Sequence, residues 1–141
     1  MPHSNSNESS KGLIIVVDDE PFIAKYIALV LRRDGYDVMT ALSAAEAWEL
    51  FQQGGRRARA LVTDIVMPGD WDGLELTRRV HAVAPGLPVL LVTGYPPSDA
   101  PDPCCTLLPK PFTAEALQRA IRQALEPSAG LAVAGGSYRT C

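Results

Sequence analysis

Leu13-Ile14-Ile15-Val16-Val17-Asp18-Asp19-Glu20 is a run of five apolar residues, four of them β-branched, leading straight into three acids. A continuous β-branched run of this kind fits a strand buried on both faces, as parallel sheets require. Pro21 comes next and suits the first turn of a helix, where its missing N–H does no harm. Phe22, Ile23, Tyr26, Ile27, Val30 and Leu31 then recur at helical spacing, and Gly35 stops the helix. The chain thus opens as strand, acidic tip and helix.

The same unit returns along the sequence. Asp37 to Ala41 predicts a short second strand, and Ser43 with Glu46 a capping box for a helix carrying Ala47, Leu50 and Phe51 up to Gly54-Gly55. Ala60 to Thr63 predicts strand three, and Gly73 to Ala84 a helix with Leu76, Val80 and Val83 on one side, stopped by Pro85-Gly86. Pro88 leads into strand four at Val89 to Val92, and Thr106-Leu107-Leu108 is a weak strand five cut short by Pro109. Thr113 caps a last helix with Leu117, Ile121 and Leu125 on one face, ended by Pro127. Strands alternating with helices imply right-handed βαβ units and a parallel sheet covered on both faces. Ligands in such sheets bind beyond the carboxyl ends of the strands.

The 141 residues suffice for one domain, predicted over residues 12–126 between disordered tails at 1–11 and 127–141. The net charge of −3 argues against a nucleic-acid surface, and Arg56, Arg57 and Arg59 read as a solvated turn. Three cysteines without framework spacing (Cys104, Cys105 and Cys141) fit a reducing compartment and make a zinc site improbable. No apolar run reaches membrane-spanning length, and Met1 to Lys11 lacks the apolar stretch of a signal peptide, so a cytoplasmic protein is expected.

Polar groups fall where the sheet rule says to look. Asp18, Asp19 and Glu20 end strand one, Asp64 ends strand three, Thr93 ends strand four and Lys110 follows strand five. Carboxylates crowded together stay ionised only with a cation among them, and hard oxygen donors suit Mg2+. Lys110 and the Thr93 hydroxyl can hold phosphoryl oxygens, and Asp64 can serve as the nucleophile of an acyl phosphate.

The segments VVDDE (16–20), LVTDIVMPG (61–69), LLVTGY (90–95) and PKPF (109–112) together resemble the receiver domain of two-component response regulators, over about Gly12 to Glu126. The resemblance implies a flavodoxin-like (βα)5 three-layer sandwich with a five-stranded parallel sheet. It implies Asp64 as the phosphoacceptor. Asp19, Asp64 and the Val66 backbone carbonyl would be direct Mg2+ ligands, with Asp18 acting through a water. Thr93 and Lys110 would contact the phosphoryl group, Gly94 would leave its pocket open, and Lys110-Pro111 would be a cis peptide bond. The implied partners are a sensor histidine kinase or histidine phosphotransfer protein and an unknown downstream protein, without nucleic acid or membrane, in a stand-alone monomer or weak dimer. The module would signal by conformational change or serve as a relay intermediate or phosphate sink.

The chain also departs from that pattern. Pro96, Pro97, Pro101 and Pro103 between Thr93 and Lys110 predict a degraded or missing fourth helix, whose loop would order on phosphorylation. Leu107 stands where many receivers carry Tyr or Phe, and Thr93-Gly94-Tyr95 resembles an atypical subgroup with a "FATGY"-like motif. Asp70 and Asp72 read as turn formers, Trp71 as packing for a loop one residue longer than usual, and His81 as a helix residue without a chemical role. Val66 cannot orient a hydrolytic water, which predicts slow autodephosphorylation. A haloacid-dehalogenase-type phosphatase is the enzyme alternative, but it wants a second Asp at position 66.

Overall fold

A computed structural model describes residues 10–54, 57–94 and 105–126. The expectations placed on both tails and on the Pro-rich stretch between Tyr95 and Cys104 lie mostly or wholly outside these residues. Among the described residues five strands and four helices follow in the order β1 (Leu13–Val17), α1 (Pro21–Arg33), β2 (Asp37–Ala41), α2 (Ala44–Gln53), β3 (Ala60–Asp64), α3 (Gly73–Val83), β4 (Val89–Thr93), β5 (Cys105–Pro109) and α4 (Ala114–Leu125). The strands form one parallel sheet in the order β2-β1-β3-β4-β5. This is the flavodoxin-like order, whose switch point lies between β1 and β3.

Two apolar layers arise from the two-residue period of the strands. Ile14 and Val16 of β1, Val62 of β3 and Leu90 and Val92 of β4 face α1 and α4, where Ile27, Leu31, Leu117 and Ile121 complete the layer. Ile15, Val17, Leu61 and Leu91 face the other way, onto Phe51 of α2 and Leu76 and Val80 of α3. The central strands β3 and β4 are buried along their whole length, as a strand covered on both faces must be. Among the described residues no helix is long and apolar enough to cross a membrane.

Caps set the helix starts. Ser43 accepts from the Glu46 N–H at 3.1 Å, and the Glu46 carboxylate accepts from the Leu42 N–H at 2.9 Å, one residue upstream of the box predicted. Asp72 is more than a turn former, because its carboxylate caps α3 at the Glu75 N–H, 2.9 Å away. Thr113 caps α4 at the Ala116 N–H as expected. His81 bonds the Leu87 carbonyl through Nε2 at 2.9 Å, tying the end of α3 to the turn that feeds β4.

Candidate functional site

Parallel strands end together, so the residues just past their carboxyl ends share one edge. Asp18 follows β1 and is 1% exposed, and Asp64 ends β3 and is 7% exposed. One oxygen from each of Asp18, Asp19 and Asp64 lies within 4.8 Å of the others. Glu20 stays out of this group. It is exposed and serves as the N-cap residue of α1, and its N–H donates to Asp18 Oδ1 at 2.9 Å.

Lys110, just past β5, supplies the cation. Its Nζ donates to Asp64 Oδ2 at 3.1 Å and to Asp18 Oδ2 at 3.3 Å. The Lys110 backbone N–H donates to the Thr93 carbonyl at 2.9 Å, so β4 helps to aim the side chain. The Lys110-Pro111 peptide is cis. Thr93 is wholly buried at the end of β4, one residue beyond Val92, the β4 residue in register with Asp64. Val66 meets the site through its amide, which donates to Asp64 Oδ1 at 3.3 Å, while the residue as a whole is 60% exposed.

The ionisation of the group follows from burial and charge. Burial raises the Asp18 carboxyl above the ordinary 3.8, against the Glu20 N–H bond and the Lys110 charge, with the Asp64 charge adding to the rise. Burial alone would lower Lys110, but its bond to Asp64 and the charges of both acids outweigh that and raise it above 10.5. The ammonium therefore stays charged between two acids that need it. The donor set fits a hard divalent cation: only carboxylate oxygens converge here, with no His or Cys among the clustered groups. A cluster of this kind suits Mg2+, which takes one or two carboxylates and completes its shell with water or phosphate.

Some neighbours of this edge were not legible as a group in the sequence. Trp71, in the loop that leaves Asp64, packs on Trp48 of α2 and under Arg79 of α3. Gly73 starts α3 so close to β3 that a Cβ there would overlap the Asp64 carbonyl. The Gly between Asp72 and the apolar Leu74 was the sequence signal for that close approach.

The sequence model of the family described as response regulator receiver domain matches residues 14–122. The chain is 34% identical over 105 residues to the response regulator receiver protein CpdR of Brucella abortus, covering 70% of this chain and 84% of that protein. It is 32% identical over 123 residues to the transcriptional regulatory protein GlrR of Escherichia coli, covering 82% of this chain but 27% of GlrR. The chain thus spans about a quarter of the length of that relative. Among solved structures, the response regulator TrrA of Thermotoga maritima in complex with Mg(2+)-BeF superposes with a TM-score of 0.73 at 29% identity, covering 81% of this chain and 99% of that one.

Proposed function

Since this chain belongs to the response regulator receiver domain family, we propose that it accepts a phosphoryl group onto Asp64 from the phosphohistidine of a sensor histidine kinase or a histidine phosphotransfer protein. The observation that carries this reading is one ammonium shared by two nearly buried carboxylates, Lys110 with Asp64 at 3.1 Å and with Asp18 at 3.3 Å. A structural ion pair would need one acid. Two acids with a third alongside, Asp19, suit a site that holds more positive charge than the lysine alone.

In the transfer an Asp64 carboxylate oxygen bonds to phosphorus while the N–P bond breaks. The imidazole leaves with the bonding pair and takes a proton from solvent. Lys110 presents N–H donors to the phosphoryl oxygens, and the Thr93 hydroxyl offers another from the adjacent strand end. Asp18, Asp19, Asp64 and the Val66 carbonyl would hold Mg2+. When bound, Mg2+ neutralises charge on the phosphoryl oxygens. Crowded acids then become an asset, because the charge they would otherwise repel is balanced at the moment of transfer.

On this reading the protein catalyses only its own phosphorylation and dephosphorylation. It passes the signal to a partner protein by a change of shape, or serves as an intermediate or sink in a relay. The 84% share of CpdR that aligns supports a receiver acting at about this size. The cytoplasm is its place of action, a reducing setting that suits three cysteines without the spacing of a disulfide framework. A haloacid-dehalogenase-type phosphatase is not supported, since Val66 stands where that chemistry needs its acid/base. The test is incubation with acetyl phosphate and Mg2+ followed by intact-mass measurement. One added phosphoryl group, lost in Asp64→Asn, supports the reading; an unmodified wild-type chain sinks it.

A further inference from the structure

Residues 65–72 leave Asp64 without helix or strand and return at Gly73, whose N–H donates to the Ile65 carbonyl at 2.9 Å. The loop is thus closed at its neck, and Gly69 turns it with a φ of +107°. Three of its side chains, Ile65, Met67 and Trp71, reach the apolar layer beneath. Trp71 has two ring partners from different helices. The Arg79 guanidinium carbon lies 3.9 Å from the centre of its ring, and Trp48 meets it edge-on at 6.3 Å and 72°. Each partner has a further contact of its own. Trp48 stacks at 5.8 Å on Phe51, which is 2% exposed, and Arg79 is pinned by Glu75 at 3.2 Å.

The same loop meets Asp64 through the Val66 N–H, 3.3 Å from Oδ1, and carries the Val66 carbonyl that would join the Mg2+ ligands. That distance is already beyond the usual span for an amide donor, so a shift of a few tenths of an ångström forfeits the bond. With the neck closed at residue 73, a displacement at Trp71 has only the short stretch back to Val66 to absorb it. We infer that Trp71, packed against Arg79 and Trp48, is a positioning residue that holds the Val66 amide on the Asp64 carboxylate. The inference rests on the reading of Asp64 as the phosphoryl acceptor. It assigns Trp71 no contact with the phosphoryl group.

The full chain is treated with acetyl phosphate over a Mg2+ series, with intact mass giving the initial rate and melting without Mg2+ giving the structural cost. Failure of the wild type to take up phosphate, or equal uptake by Asp64→Asn, overturns the acceptor reading and the inference with it. With wild-type uptake in hand, Trp71→Ala is expected to raise the half-saturating Mg2+ concentration about fivefold, below the 10–100-fold typical of residues that directly support metal ligands. Trp71→Phe keeps a ring for Arg79 and is expected to restore at least half of that loss. Arg79→Gln leaves the aromatic packing intact, should cost about twofold to threefold, and should add nothing in the Trp71→Ala background. Rates and Mg2+ half-saturation within twofold of wild type in Trp71→Ala, whatever its melting point, overturn the inference. Equal losses in Trp71→Ala and Trp71→Phe, or multiplicative losses with Arg79→Gln, overturn it too.

Discussion

The Lys110 ammonium lies 3.1 Å from Asp64 Oδ2, joining the tips of β5 and β3 across β4, the strand that separates them in the sheet. The bridge spans the mouth of the site, and the same nitrogen reaches Asp18 at 3.3 Å. Lys110→Met keeps the unbranched apolar stem and removes the charged end, leaving two nearly buried carboxylates without their shared donor. Without Mg2+ the variant should lose about 1–2 kcal/mol, roughly 3–6 °C in melting temperature. Millimolar Mg2+ should recover most of that, while phosphoryl uptake stays at least about tenfold slow for want of the donor. Scanning calorimetry with and without Mg2+ measures the first pair of values. Identical melting of variant and wild type in the absence of Mg2+ would show that the bridge is not holding the acids.

Asp18 gives a prediction of the opposite sign. Burial holds its carboxyl above the ordinary 3.8, so at neutral pH the folded chain carries a charge it disfavours. A carboxyl whose folded value exceeds its unfolded one costs nothing below 3.8, costs more as pH climbs toward the folded value, and carries its full cost above it. Asp18→Asn keeps the acceptor for the Glu20 N–H and removes the charge. In metal-free buffer at pH 7 it should therefore melt about 2–3 °C higher than wild type, a gain held near 1 kcal/mol or less by screening at the mouth of the site. The gain should fade as pH is lowered toward 4, and Mg2+ should stabilise the variant less than it stabilises wild type. Lower metal-free stability in the variant at every pH would reverse the assignment of Asp18 as a strained acid kept for binding.

Val66 bears on how long the signal lasts. It is an exposed residue two positions after Asp64, and its side chain carries no group that can orient an attacking water. The acyl phosphate should therefore persist for minutes or longer. Val66→Asn adds an amide at that position and should speed loss of phosphate about threefold to tenfold, well short of the 10²–10⁴ a true general base supplies. Following the phosphorylated mass after removal of the phosphodonor decides it, and a wild-type half-life of seconds would refute the reading.

Much of this was legible because the informative signals were local. The apolar run at 13–17, the capping residues Ser43 and Thr113, and acids standing just past strand ends need no knowledge of partners. Strand ends were less legible, since β3 runs on to Asp64, β4 to Thr93, and β5 from Cys105 to Pro109. Register decides those limits: Asp64 is held by Val92 and Pro109 by Thr93, pairings that residue preference alone does not encode. The pair of contacts on Trp71 was hidden for a related reason. Its partners come from different helices, Trp48 of α2 and Arg79 of α3, and only the packing of both helices on one sheet face brings them together. Lys110 was readable as a basic group at the right edge, but its sharing between Asp18 and Asp64 depends on the sheet order.

Gly73 tests how tightly the scaffold and the site are joined. Its N–H closes the loop neck on Ile65, and its missing side chain lets the first turn of α3 rest against the Asp64 backbone. A methyl group there would overlap the Asp64 carbonyl and crowd the Ile65 backbone, and backbone has no rotamer by which to move aside. Either α3 shifts outward, pulling Leu76 and Val80 from the layer they fill, or the end of β3 moves and carries the Asp64 carboxylate with it. Gly73→Ala should therefore cost about 3 kcal/mol, near 9 °C in melting temperature, even though Ala is the better helix former by about 1 kcal/mol. Gly86 offers a control, since it lies outside the helices and an added Cβ there meets nothing within 4 Å. Gly86→Ala should fall within about 0.5 kcal/mol of wild type. Denaturant titration of the two variants separates them, and a Gly73→Ala chain as stable as wild type would mean that α3 does not rest on the strand that ends at Asp64.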